Sequence, residues 1–337
     1  MKMKKVLVLV VALLLAVSLC ACANQESAQE PAQNSQSAET SQGGESTSDE
    51  KFTVGVTFQD LSNEWIAMMK DAMEYRVKNY PQLELIINDG EGSPETQTSQ
   101  VETFIAQGVD AMIINPTDAN MMIPAVENAV NSGVPVVTLS SDVVEDVGQV
   151  WVGAENSAGG ALVAQWVVDQ LGEKGNVAIM RGPIGAIAEI QRFEGYDEVF
   201  SQYDGIEIVF DQTANWSREE SMSLMENWLQ TGTQIDAVVC QNDEMALGAL
   251  SAIEAAGKLD EIIVVGMDGI PDALASIKDG KLKATGFQGA IDQAFGAVDM
   301  IAQALDGEEI AYTDIPFELI TAENVDSYYE RIELPEE

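Results

Sequence analysis

The side chains with chemistry to offer cluster in one recurring place, immediately after short apolar runs. Asn63 follows the first run, Asn115-Pro-Thr-Asp118 the third and Ser140-Ser-Asp142 the fourth. A second series supplies Arg181, Asn242-Asp243 and Asp268, and Gln288 follows Lys283-Ala-Thr-Gly-Phe. Amides, carboxylates and hydroxyls dominate, with few cations. Asn, Gln and Asp each engage adjacent hydroxyls with both side-chain atoms, so this set suits a neutral polyol. Trp65 and Trp216 also sit just beyond apolar runs, where a flat indole packs on the C–H face of a sugar. Each residue has a plainer alternative. Asn63 and Asn242 precede helices and suit N-caps, Asp268 before Gly269 suits a turn, and Trp65 shares helical spacing with Met69. The functional reading rests on the same chemistry recurring at the same end of several elements.

Those elements alternate. Phe52–Phe58, Leu83–Ile87, Ala111–Ile114 and Val134–Leu139 read as strands, separated by helical stretches at Glu64–Asn79, Pro94–Gln107 and Ala119–Asn131. The rhythm then repeats. Strands are expected at Asn176–Met180, Ile206–Asp211, Asp236–Cys240 and Ile262–Val265. Helices are expected at Gly159–Leu171, Ala188–Gln202, Arg218–Leu229, Glu244–Ala256 and Asp272–Lys278. The strands are nearly continuous apolar runs, as strands covered on both faces must be. Two successive βα series predict an α/β fold with two doubly wound parallel sheets. In such sheets ligands bind beyond the carboxyl ends of the strands, where the polar residues lie. The 337 residues suit two lobes of roughly 130–150 residues each.

Composition removes whole classes of function. Histidine is absent, which excludes imidazole bases, Ser-His and Cys-His pairs and His-ligated metals. Sixteen basic residues stand against 56 acidic ones, a net charge of −40 that repels nucleic acid and anionic lipid. No GxGxxG or GxxxxGK[ST] occurs, which disfavours dinucleotide and P-loop enzymes. Gly159-Gly160 reads instead as a close helix approach and Gly182-Pro183 as a turn. No cofactor and no metal is expected.

The first residues read as a targeting signal. Three lysines precede the apolar run Val6–Leu19, which is short for a membrane span. Leu19 at −3 and Ala21 at −1 before Cys22 resemble the bacterial lipobox, which implies cleavage before Cys22 and a lipid on it. An ordinary signal peptide is the alternative. Residues 23–50 contain no aromatic residue and no aliphatic one larger than Ala, and are expected to form a flexible tether. Cys240 then remains alone, a small buried hydrophobe.

Longer motifs carry a family resemblance. Gln241-Asn-Asp-Glu-Met-Ala-Leu-Gly-Ala-Leu250, Val264-Val-Gly-Met-Asp-Gly-Ile-Pro-Asp272 and Asp279-Gly-Lys-Leu-Lys-Ala-Thr285 resemble the bacterial ribose-binding proteins. Ile114-Asn-Pro-Thr-Asp118 and Pro135-Val-Val-Thr-Leu139 match as well. These proteins are extracytoplasmic sugar receptors of ABC importers with the type I periplasmic binding protein fold. The resemblance covers about residues 52–320. It implies two Rossmann-like lobes joined by three crossovers, near Ala154, Gln288 and Phe317. The expected organisation is a lipoprotein signal peptide at 1–21, a tether at 22–50, an N-terminal lobe of 51–154 plus 289–316, and a C-terminal lobe of 155–288 plus 317–337.

Carried over residue by residue, the resemblance assigns ligand contacts to Asn63, Trp65, Trp216, Asn242, Asp268 and the hinge residue Gln288. Three departures matter. The family's Asp-Arg after the fourth strand is Ser140-Ser141, followed by Asp142. An Arg two residues before the one matching Arg192 is Ile190. A second aromatic beside the first is Ile66. Ribose itself therefore loses support, and Ser141, Asp142 and Arg192 are assigned as compensating contacts. The expected function is a lipid-anchored, monomeric, non-enzymatic receptor on the outer face of the cytoplasmic membrane. It passes a neutral sugar or polyol to ABC permease subunits, without nucleic-acid partners. A sensor docking on a membrane histidine kinase or chemoreceptor is the alternative. A lactose-repressor-type regulator needs an N-terminal helix-turn-helix where this chain has a signal and tether. A sugar hydrolase would use Asp142 and Asp268 as its acid and base.

Overall fold

A computed structural model describes residues 51–335, so Cys22 and the expected signal and tether lie outside the described residues. Each lobe is built on a six-stranded sheet. The first sheet has the strands β1 (Phe52–Phe58), β2 (Leu83–Asp89), β3 (Ala111–Ile114), β4 (Val136–Leu139), β5 (Val150–Gly153) and β11 (Thr313–Asp314). Their spatial order is β11-β5-β4-β3-β1-β2, all parallel. The second has β6 (Gly175–Arg181), β7 (Ile206–Thr213), β8 (Ala237–Cys240), β9 (Ile263–Asp268), β10 (Ala284–Phe287) and β12 (Glu318–Thr321). Its order is β12-β10-β9-β8-β6-β7, and only β12 runs antiparallel. The expected α/β architecture of two doubly wound sheets is present.

The helices are α1 (Glu64–Arg76), α2 (Pro94–Gln107), α3 (Ile123–Asn131), α4 (Asn156–Leu171), α5 (Ile187–Phe200), α6 (Arg218–Gln230), α7 (Asp243–Ala255), α8 (Pro271–Lys278) and α9 (Ala290–Leu305). Local chemistry sets their ends. Ser93 caps α2 by accepting from Thr96 N, with Pro94 at the first helical position, and Gly108 ends it at φ +70°. Ser217 caps α6 in the same way through Glu220 N. The helix expected over Glu64–Asn79 stops being α-helical at Arg76 and tightens into a 3₁₀ turn, Val77–Asn79.

Central strands β3, β4, β8 and β10 are buried along their whole length, and β3, β4 and β8 accordingly read as nearly continuous apolar runs. Edge strand β7 is largely exposed. Helices α4 and α5 pack together against the second sheet, as do α6 and α7, while α1 and α9 pack together with α9 against β3, β4 and β5. The chain passes between the sheets three times: between Gly153 and Asn156, between Phe287 and Ala290, and between Asp314 and Glu318. Those passages bring the carboxyl ends of the two parallel sheets to face each other.

Candidate functional site

On the first-sheet side the strand ends are stitched together before any side chain is free to bind. Asn115, fully buried, accepts from Gln59 N (3.2 Å) and donates to Leu139 O (2.8 Å), tying the ends of β1, β3 and β4. Gln59 Nε2 then donates to Ser141 Oγ (3.2 Å). Asn63 does cap α1, its Oδ1 accepting from Ile66 N (3.2 Å), which leaves its side-chain NH₂ over the cleft. Trp65 follows in the first turn and is 6% exposed. Its indole N–H is buried and has no hydrogen-bond partner among the described residues. Ser140 turns sharply at φ +61°, off the favoured backbone regions for a residue with a Cβ.

The second-sheet side is a wired cluster centred on Arg192 of α5, which is 4% exposed. Its Nε donates to Asn156 Oδ1 (2.9 Å), one Nη to Gln288 Oε1 (3.0 Å) and the other to the backbone carbonyl of Gln241. Gln288 Nε2 donates in turn to Asp268 Oδ1 (2.5 Å), which also lies 3.8 Å from the guanidinium. Helices α4 and α5 must approach closely to place Arg192 there. A Cβ on Gly160 would fall 2.3 Å from Arg192 O, so the expected close helix approach is real.

Burial pushes the Asp268 carboxyl well above the ordinary carboxylate range, against the downward pull of Arg192. Asp268 also holds φ +133°, a strained conformation for a residue with a side chain. The following turn is fixed by Asp243, whose Oδ2 accepts from Gly269 N (2.7 Å) and Ile270 N (3.1 Å). Asn242 caps α7 through Met245 N (2.9 Å). Trp216 sits at φ +61° with its indole flat against Gly182, where a Cβ would lie 2.1 Å from the ring.

Between these walls lies a cleft of about 420 Å³ of atom-free space, counted with its open mouth. Asn63, Trp65, Ser141, Arg192, Trp216, Asn242, Asp268 and Gln288 all line it. The lobes also meet at its rim, where Ala119 N donates to Gly185 O (3.1 Å).

Residues 54–309 match the model of the periplasmic binding protein domain. The chain belongs to this family. As a periplasmic binding protein it is 41% identical over 235 residues to the ribose import binding protein of Bacillus subtilis, covering 70% of this chain and 75% of that one. It is 37% identical over 283 residues to the xylitol-binding protein of Mycolicibacterium smegmatis, covering 83% and 80%. A solute binding protein of an ABC transporter from Bacillus halodurans, solved with bound myo-inositol, superposes with a TM-score of 0.82 at 40% identity, covering 85% and 99%.

Within this periplasmic binding protein one expected contact falls elsewhere. Asp142 does not line the cleft. Its Oδ1 accepts from Val143 N (2.8 Å) and Gln149 Nε2 (3.1 Å), and it faces a neighbouring hollow. Asp142 and Asp268 line different spaces, so they are not paired across one cleft as the acid and base of a hydrolase would be. Arg181 also points away, pairing with Glu189 (2.6 Å) and Asp211 (3.3 Å). Asp118 caps a turn through Asn120 N and Met121 N. Gln59, Ile66, Ser140, Ala186 and Ala188 join the lining. Gln59 met the same strand-end criterion as the residues singled out. Asn156 and Gln241 act through Arg192 and gave no sequence signal of that role.

Proposed function

We propose that this chain is the lipid-anchored receptor of an ABC importer, capturing one neutral monosaccharide or polyol between its lobes. The observation that carries this is the balance of unused hydrogen-bonding groups in the cleft. The Trp65 indole N–H is buried and unpartnered among the described residues, Asn242 keeps one amide hydrogen beyond that given to Trp216 O (3.4 Å), Asn63 engages only its Oδ1 in capping, and Asp268 keeps lone pairs beyond those engaged by Gln288 Nε2 and the Asp243 backbone N–H. A buried donor without a partner costs about 1–3 kcal/mol, and a ligand hydroxyl supplies that partner. Each hydroxyl both donates and accepts, so a polyol satisfies donors and carboxylate together. Arg192 already donates to three protein acceptors and lies 3.8 Å from the Asp268 carboxyl, so its charge is largely compensated within the protein.

In this reading Asn63, Trp65 and Ser141 contact the ligand from one lobe, and Trp216, Asn242 and Asp268 from the other. Gln288 and Arg192 hold the hinge end. A ligand touching both walls favours the closed state, because only there does it make both sets of contacts. The relatives support the substrate class: their names give ribose, xylitol and myo-inositol as ligands. Lipidation at Cys22, a tether over 22–50, lobes of 51–154 plus 289–316 and 155–288 plus 317–337, a monomeric state and docking on a permease complete the proposal. The chain binds and releases its ligand unchanged. A thermal-shift panel of monosaccharides and polyols tests it. A ligand at about 100 times its Kd adds roughly 2.7 kcal/mol, and a panel with no stabilising member rejects the reading.

A further inference from the structure

Ser140 lines a second hollow as well as the cleft. That hollow encloses about 920 Å³ of atom-free space with its mouth, against about 420 Å³ for the cleft. Both lobes wall it. Asp142, Trp151 and Tyr312 lie on the first-sheet side, and Ile187, Ile190 and Glu194 of α5 on the other.

Tyr312 is 55% exposed. Its ring centroid lies 5.0 Å from that of buried Trp151 at a tilt of 31°, and its hydroxyl hydrogen-bonds to Glu155. Trp151 is fixed in turn by donating to Ser140 O (3.1 Å). An exposed ring backed by a buried one and held at its hydroxyl is an oriented platform. Ile187 and Ile190 offer an apolar face opposite. Asp142 and Glu194 supply hydroxyl acceptors, and Asp142 keeps lone pairs beyond those given to Val143 N and Gln149 Nε2. The hollow thus repeats the chemistry of the cleft: an aromatic face, carboxylates, an apolar wall. Among the described residues no Lys or Arg lines it, so phosphate or carboxylate substituents would be repelled.

We infer that this hollow is a second subsite, taking a neutral sugar ring joined through a glycosidic oxygen to the polyol held between Trp65 and Trp216. The inference rests on the polyol-binding reading above. The linkage passes Ser140, the residue common to both spaces. The physiological ligand is then a glycoside, with the free polyol a smaller, weaker occupant of the cleft alone.

Calorimetry on the full chain tests this with myo-inositol, xylitol and D-ribose, and with the mono-O-galactosides of each. At least one galactoside is expected to bind tenfold or more tightly than its parent. Tyr312→Ala, and separately Glu194→Arg, should abolish that gain while leaving the parent's affinity within twofold. The inference is overturned if a parent binds but none of its galactosides binds more tightly, or if the gain survives both substitutions. If neither the parents nor the galactosides bind, the polyol-binding reading itself fails and the subsite with it.

Discussion

The two walls of the cleft are built in opposite ways. On the first-sheet side the ligand-facing groups are end-of-element residues with capacity left over: Asn63 caps a helix with one atom and Trp65 carries an unpartnered N–H. On the second-sheet side Arg192, Gln288 and Asp268 are joined to one another and to Asn156 and the Gln241 carbonyl before any ligand arrives. The contrast separates two tasks. A preorganised, buried polar network fixes orientation and loses little entropy on binding. A wall with spare donors completes its hydrogen bonding only with the ligand present, and so supplies the difference between empty and filled states.

The sharpest way to break this contrast is to remove the hub. Arg192→Met deletes three donors at once and leaves Asp268 buried without its cation. Breaking a buried charged network costs roughly 3–5 kcal/mol. The expected outcome is a loss of that size in urea unfolding, along with weakened binding. A variant with unchanged stability would show the wiring to be incidental.

Next in size is the acceptor. Asp268→Ala removes the charged group facing ligand hydroxyls while Arg192 keeps its other partners. Charge-assisted hydrogen bonds contribute roughly 1.5–3 kcal/mol, so affinity should fall about tenfold to a hundredfold or more. The fold should survive, because the strained φ +133° at this residue is imposed by its neighbours. Small-angle scattering should show the variant failing to compact on adding a ligand that compacts the wild type.

Smaller still is the spare donor. Trp65→Phe keeps an aromatic face and removes the N–H. Weakening of about 1 kcal/mol, roughly fivefold, is expected, with stability preserved because that N–H has no partner in the protein. Trp65→Ala should cost about 1–3 kcal/mol of binding and some stability too, since Trp65 packs in the hydrophobic core as well as facing the cleft. Equal affinities for Trp65→Phe and wild type would mean the indole serves as a surface only.

Much of this was legible in the sequence, and the gaps follow a pattern. Buried central strands announced themselves because both faces are covered and the apolar run is unbroken. Strands β5, β10, β11 and β12 and helix α9 were not marked out as elements; β10, though buried, reads Ala-Thr-Gly-Phe and is no apolar run. Val150–Gly153 is only four residues long, and α9, though strongly amphipathic, follows a hinge with no side-chain cap at its start. The residues at the carboxyl ends of strands were found because parallel topology sends them all to one place. Asp142 was misplaced because direction was not visible: the backbone turns at Ser140, and two residues later the carboxylate belongs to the neighbouring hollow. Asn156 was missed for a related reason. It acts from the start of α4 on an arginine of α5, a contact set by helix crossing and not by spacing.

A pH series tests whether the wired wall carries a latent electrostatic cost. Asp243 is fully buried, and burial pushes its carboxyl up from 3.8 to about 6, opposed by the hydrogen bonds from Thr285, Gly269 and Ile270. Between those values the native protein keeps a proton that the unfolded chain releases. Stability contributed by this group is therefore full below about pH 4 and lost as pH rises through about 6. Asp243→Asn cannot ionise and should not show that loss, while its Oδ1 still accepts from the turn amides. Comparing the two proteins by urea unfolding across pH 4–7, the wild type's stability relative to Asp243→Asn should decline with rising pH by about 2–3 kcal/mol. The decline should fall mostly between pH 4 and 6 and level off above. A relative stability that stays flat would mean the amides of Gly269 and Ile270 hold the carboxylate charged at no cost. The second wall would then be as relaxed as the first, and the contrast between them would rest on Arg192 alone.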